Sequence, residues 1–128
     1  MPIARNTSVP RIAFLVVGIL ALLSPLLFIR IPSGNEWMRA LLDASHGPIF
    51  AIVAMLVATL LSDRRGSVRA TTWPDWPLYL KALAISVALG ALIEFLQGFE
   101  GRSQSFFDVM TDTAGALAGL AVWALATR

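Results

Sequence analysis

The chain has no cysteine, a single histidine and a single tyrosine, and only 14% of its 128 residues are Asp, Glu, Lys or Arg. Without cysteine there can be no disulfide, no thiolate nucleophile and no Cys-ligated metal centre. One histidine argues against a zinc site, which draws on about three or four N, S or O ligands, so no metal and no cofactor is expected. The charge content is well below the roughly one quarter typical of soluble domains. What fills the space is apolar: 57% of the residues are hydrophobic and the mean hydropathy is +0.74. Such a composition in so short a chain predicts a single membrane-embedded domain over residues 1–128. The pI of 9.9 accompanies a net charge of only +2. The basic residues sit in short loops beside apolar runs, where they set topology, so no nucleic-acid partner is expected. There is no internal repeat, low-complexity tail or second domain.

The hydropathy pattern predicts an all-α, four-helix transmembrane bundle with short loops. Its spans are placed at about residues 12–29, 44–61, 78–98 and 109–126. The first run, Ile12 to Ile29, is longer than the about 7–15-residue core of a signal peptide and ends without a small-residue cleavage site. It reads as an uncleaved span, with Pro25 bending its last turn. The second run, Pro48 to Leu61, covers only about 21 Å of a hydrocarbon core about 30 Å thick. The helix must therefore borrow residues upstream, where Trp37, Met38, Leu41 and Leu42 recur at helical spacing. Trp73, Trp76 and Tyr79 read as an aromatic belt opening the third span.

Four spans put both termini on one side. Arg5, Arg11, Arg64, Arg65, Arg69, Lys81 and Arg128 fall on that side, and Arg30, Arg39 and Arg102 on the other. This bias predicts cytoplasmic termini. Two polar segments, Asp43 to His46 and Gln97 to Asp108, then share the outer face.

Ionisable groups at the edge of hydrocarbon cost a few kcal/mol each on insertion scales (about 2.5–3.5 kcal/mol at mid-span), which makes them functional-site candidates. On span three, Gly90, Glu94, Gln97, Gly98 and Gly101 share one helical stripe. On span four, Asp108, Asp112, Gly115 and Gly119 share another. Small residues let helices approach closely in lipid, and Gly115-Ala116-Leu117-Ala118-Gly119 is a G-x-x-x-G. The polar stripes are thus packing stripes, and the carboxyls are expected to point into the bundle, with Glu94 and Asp112 at similar depth. A structural reading stands beside the functional one. Ser105 and Asp108 have the spacing of a capping box, and Glu94, Gln97 and Asp112 could be interhelical hydrogen-bond glue with Arg102 as counter-ion. His46 is equally open to both readings. The Arg64, Arg65, Arg69 group reads as topogenic, and the Trp and Tyr residues as interface anchors.

Asp43-Ala44-Ser45-His46 opening one span, Glu94-Phe95-Leu96-Gln97 ending a later one, Gly101-Arg102, and Asp108 through Asp112 to Gly115 together resemble the VanZ-like family of small bacterial integral membrane proteins. The chain departs from that pattern at Asp112, where the family usually shows Asn, and at Ala44, where a Lys often follows the first Asp. The resemblance implies a multi-pass protein of the bacterial inner (cytoplasmic) membrane and the cell envelope, in a family named for low-level teicoplanin resistance. It adds Asp43, His46, Glu94, Gln97, Arg102, Asp108 and Gly115 as the polar pattern. With Asp112, the ligand-binding candidates become Asp43, His46, Glu94, Gln97, Arg102, Asp108 and Asp112.

The function expected from these residues is binding of a lipid headgroup, a lipid-linked wall precursor or a glycopeptide in an outer-leaflet polar pocket, with an effect on teicoplanin-type sensitivity. Arg102 would hold a phosphate or carboxylate as a charge-assisted pair. Membrane lipids are the expected partners. The alternative is an intramembrane enzyme acting on a lipid-linked headgroup by carboxylate and His acid–base chemistry, or by metal assistance through Asp43, Glu94, Asp108 and Asp112 as oxygen ligands. No catalytic residue is assigned, because no nucleophile motif is present. An ion pathway would need charges near mid-membrane, and these stop at its edge.

Overall fold

A computed structural model describes residues 8–30, 32–64, 75–99 and 105–127. They form four helices, α1 (Ser8–Phe28), α2 (Glu36–Arg64), α3 (Trp76–Phe99) and α4 (Phe106–Ala126), with no strand among the described residues. All four are long and apolar enough to cross a membrane. A chain in hydrocarbon must satisfy its backbone within itself, and helices do so segment by segment.

The helices begin earlier than the apolar runs alone indicate. The largest difference is in α2, whose 29 residues start at Glu36. At about 1.5 Å per residue it reaches about 43 Å, well beyond the hydrocarbon thickness. Its first turns carry the exposed Trp37, Met38 and Leu41.

Two prolines lie inside helices, Pro25 in α1 and Pro48 in α2. Proline has no N–H, so Pro25 leaves the Ala21 carbonyl without its helical donor. The Ser24 hydroxyl supplies one, donating to Ala21 O at 2.9 Å. In lipid such a local side-chain donor is what makes a mid-span proline tolerable.

The helices alternate in direction. Arg11 near the start of α1 meets Asp63 near the end of α2. Gln97 near the end of α3 meets Leu26 near the end of α1. His46 and Thr59 of α2 meet Asp112 and Trp123 of α4 in the same order, so α2 and α4 run parallel. Helix α2 packs against all three others and is the hub. Its Phe50, Val53, Ala54, Val57 and Ala58 are fully buried and form the centre of the core, joined by Leu26 of α1 and by Ala82 and Ala116 of α3 and α4. Large apolar side chains on every helix face outward, among them Phe14, Leu20, Ile52, Phe95, Phe107 and Leu125. A soluble monomer does not carry so extensive an apolar surface; lipid-facing helices do.

The α2–α4 contact is backbone against backbone. A Cβ on Gly115 would lie 2.9 Å from Gly47 Cα and overlap Gly47 O, and one on Gly119 would lie 2.8 Å from Ala51 Cα and overlap Ala51 O. The G-x-x-x-G of α4 therefore seats on a second small pair, Gly47 and Ala51, at the same four-residue spacing on α2. Lipid supplies no hydrophobic drive between helices, so this close approach is what packing in a membrane needs.

The end of the bundle that holds the first turn of α1 carries the interfacial groups. Trp123 Nε1 donates to Thr59 Oγ1 at 3.1 Å. Tyr79 stands edge-on to Trp123 and to Trp76, with ring centroids 6.0 and 6.4 Å apart. Arg11 Nε approaches Asp63 Oδ2 to 3.0 Å. That approach has the separation of an ion pair without the alignment of a hydrogen bond, because Asp63 Oδ2 has no hydrogen-bond partner.

Candidate functional site

The opposite end of the bundle gathers polar side chains from three helices. His46, Glu94, Gln97 and Asp112 are all buried, and Asp108 is half-buried. The seating of Gly115 on Gly47 brings the neighbouring His46 level with Asp112, three residues earlier in α4. The His46 Nδ1 to Asp112 Oδ1 distance is 2.9 Å. In the neutral ring whose Nδ1–H donates to Asp112 Oδ1, Nε2 keeps its lone pair. The second Asp112 oxygen, Oδ2, is buried and has no hydrogen-bond partner. It lies against Gly90 of α3, where a Cβ would come within 2.7 Å of it. Gly90 is thus a glycine because a carboxylate occupies the space of its side chain.

Glu94 is one turn further along α3. It accepts a hydrogen bond from the Ser105 N–H through Oε2 at 2.9 Å, while its Oε1 is buried without a partner. Asp112 is level with Gly90, and Glu94 is level with Ser105 and Asp108. The backbones of Glu94 and Asp112 are thus staggered by about one helical turn, about 5.4 Å, while their carboxylates both approach His46.

Ser105 is the N-cap of α4, and its hydroxyl accepts from the Asp108 N–H at 3.3 Å. In a complete capping box the N3 carboxylate would take the N-cap N–H in return. Here Glu94 from the neighbouring helix takes it. Only half of the predicted box forms: the Asp108 carboxylate does not return to the Ser105 N–H and lies instead against the Ser105 hydroxyl. It faces the cluster: ligand atoms of His46, Glu94 and Asp108 all lie within 4.8 Å of one another.

Gln97 does a different job. Its amide Nε2 donates to Leu26 O at 2.9 Å. Leu26 lies in the last turn of α1, so this bond ties the end of α1 to α3. Sequence spacing placed Gln97 on the polar stripe, but its partner is 71 positions away and no local signal points to it.

Of the other predicted residues, Asp43 is exposed, three positions before the buried His46 on α2. Arg102, with Gly101, lies outside the described residues, as do Arg5, Arg65, Arg69 and Trp73. Ser105 was read only as a cap, Gly90 was placed on the polar stripe of span three, and Gly47 was not singled out. The four-residue spacing of Gly47 and Ala51 was a legible signal, since it repeats that of Gly115 and Gly119.

A pocket of about 460 Å³ opens beside the cluster, lined by Ala91, Glu94, Phe95, Ser105, Phe106 and Val109. Glu94 is the residue common to pocket and cluster. The pocket has a carboxylate and a hydroxyl at one side and apolar walls elsewhere, which suits an amphiphile more than a fully polar solute.

Neither a curated protein nor a solved structure gives a significant match to the chain. The family described as VanZ/LLP1 matches residues 5–127, nearly the whole length. The four apolar helices, and the polar residues that they draw together at one end of the bundle, are those of a multi-pass membrane protein that belongs to the VanZ/LLP1 family.

Proposed function

We propose that the protein binds the headgroup of an amphiphilic envelope lipid, such as a membrane lipid or a lipid-linked wall precursor, at the polar end of its bundle. The carrying observation is Glu94, a buried carboxylate with one oxygen unpartnered, set at the mouth of an apolar-walled pocket. An unpaired buried acceptor is costly, on the order of 1–3 kcal/mol, and a ligand hydroxyl or ammonium group offsets that cost. The apolar walls from Phe95, Phe106 and Val109 take the adjoining chain. Glu94 is the one charged residue among the described pocket residues, so the pocket favours a donor-bearing headgroup, and Arg102 is the group that would hold a phosphate or carboxylate. The positive-inside bias supports cytoplasmic termini, an inner-membrane location and a site in the outer leaflet. Capture of a glycopeptide or of its lipid-linked target there would alter teicoplanin-type sensitivity.

Native mass spectrometry of the detergent-purified protein, titrated with lipids that differ only in headgroup, tests this reading. The wild type retains a donor-bearing headgroup class, and Glu94→Gln or Arg102→Ala lowers that retention at least about tenfold, the equivalent of about 1.4 kcal/mol. Equal retention in both variants would reject the site. Cysteine is absent, so single substitutions Ser33→Cys and Thr127→Cys, probed with an impermeant thiol reagent, report orientation without background. Labelling of Ser33→Cys from the cytoplasmic side would reverse the leaflet.

A second reading, hydrolysis or transfer at a lipid-linked headgroup, draws on the buried His46–Asp112 pair as an acid–base unit. Headgroup turnover that survives Glu94→Gln together with Asp112→Asn rejects it.

A further inference from the structure

We propose that His46, Glu94 and Asp108 hold a first-row divalent metal ion of the Zn²⁺ or Mn²⁺ type, with Asp112 orienting the histidine. Four observations converge on this site. First, the three ligand atoms lie within 4.8 Å of one another. The centre of such a triangle is no more than about 2.8 Å from each corner, so shifts of under about 1 Å bring all three to metal–ligand distances of about 2.0–2.2 Å. Second, the His46 Nδ1 contact with Asp112 Oδ1 at 2.9 Å leaves Nε2 as the coordinating nitrogen. A carboxylate behind a histidine is the arrangement that fixes tautomer and ring orientation in metal sites. Third, Glu94 is 5% exposed, its Oε2 is held by the Ser105 N–H, and its Oε1 is buried without a partner. Fourth, Asp108 occupies the N3 position of a half-formed capping box, and Glu94 has taken over the reciprocal bond.

Charge supports the same conclusion. Asp108, Glu94 and Asp112 surround one imidazole at the end of a lipid-embedded bundle. Buried charges are paired or coordinate metals, and a divalent ion supplies two positive charges while leaving His46 neutral. One imidazole nitrogen with carboxylate oxygens suits zinc, manganese or iron more than the all-oxygen shells of calcium. The sequence offered one histidine and a separate set of carboxylate oxygen ligands; the fold brings His46 together with Glu94 and Asp108. Three protein ligands leave a coordination position open. Glu94 also lines the pocket, so that position is available to a headgroup oxygen; this last link rests on the proposed headgroup binding, and the metal site itself does not.

The test uses the purified full chain in detergent, stripped with chelator and dialysed against Zn²⁺ or Mn²⁺. Bound metal is counted by elemental mass spectrometry, and Co²⁺ substitution is followed by visible absorption. The expected result is about one metal per chain, with ligand-field bands for Co²⁺. Near-isosteric Glu94→Gln and Asp108→Asn, checked for helicity by circular dichroism, abolish uptake. Asp112→Asn keeps the metal but lowers its affinity about 10–100-fold, the loss expected of an orienting residue. Substoichiometric uptake by the wild type, or wild-type uptake by folded Glu94→Gln and Asp108→Asn, overturns the site. Metal uptake is measured without added lipid, so its failure is distinct from failure of headgroup binding.

Discussion

At the end of the bundle that holds the first turn of α1, polar groups stay at the rim. Arg11 is 64% exposed where it meets Asp63, and Trp123 reaches Thr59 from a half-buried position. At the other end His46 and Asp112 are each 1% exposed and Glu94 is 5% exposed. At the rim the buried Asp63 Oδ2 lacks a hydrogen bond but faces a largely exposed Arg11, and an exposed partner can keep water or lipid headgroups, so such contacts add little and cost little. Groups inside the bundle have only one another. Removing one partner there exposes the desolvation cost of the other, and two carboxylate oxygens in this cluster, Glu94 Oε1 and Asp112 Oδ2, already have no hydrogen-bond partner. The contrast separates polar groups that anchor a membrane protein from polar groups that need a ligand to complete them.

The contrast breaks most readily at Asp112. Asp112→Leu removes the partner of a buried His46 and is expected to destabilise the protein by about 3–5 kcal/mol in detergent unfolding, as for other broken buried pairs. A loss under about 1 kcal/mol would show that the two ends are energetically alike. Gln97→Leu comes next. It removes the Gln97 bond to Leu26 O and loosens α1, at a cost of about 1 kcal/mol, between the membrane average of about 0.6 and the maximum of about 1.7 kcal/mol. Its signature is proteolysis or thiol labelling near the end of α1 before global unfolding. The smallest effects belong to the rim. Trp123→Phe keeps the ring contact with Tyr79 and loses only the Thr59 bond, and Arg11→Ala loses only an exposed ion pair; each is expected to cost under about 1 kcal/mol. A rim substitution that matched Asp112→Leu would refute the comparison.

The polar stripe was largely legible from the chain. Helical periodicity put Glu94 and Gln97 on one face of α3 and Asp112, Gly115 and Gly119 on one face of α4, and all five are buried. Periodicity is a property of one helix, and it says nothing of what stands opposite. It therefore missed that Glu94 caps α4 through Ser105, that Gln97 bonds to α1 at Leu26 O, and that Asp112 fits into the space of Gly90. Counting residues back from a loop put Glu94 and Asp112 at similar depth, but it could not give the stagger of the two helix backbones at their crossing. The upstream extension of α2 was legible because hydrocarbon thickness sets a minimum length, and its apolar run alone fell short.

By itself the sequence determined the solvent: so little charge in so much apolar chain leaves only lipid-facing helices, and the backbone's need for internal hydrogen bonds makes them four spans. It also determined which face of each helix is polar. The tertiary structure decided which of those polar groups meet. That outcome hangs on register, and the register of α2 against α4 is set where Gly115 and Gly119 lie on the backbone of Gly47 and Ala51. Contacts that close leave no room to slide by a turn, so His46 stops beside Asp112, and the cluster with Glu94 and Asp108 follows from where it stops.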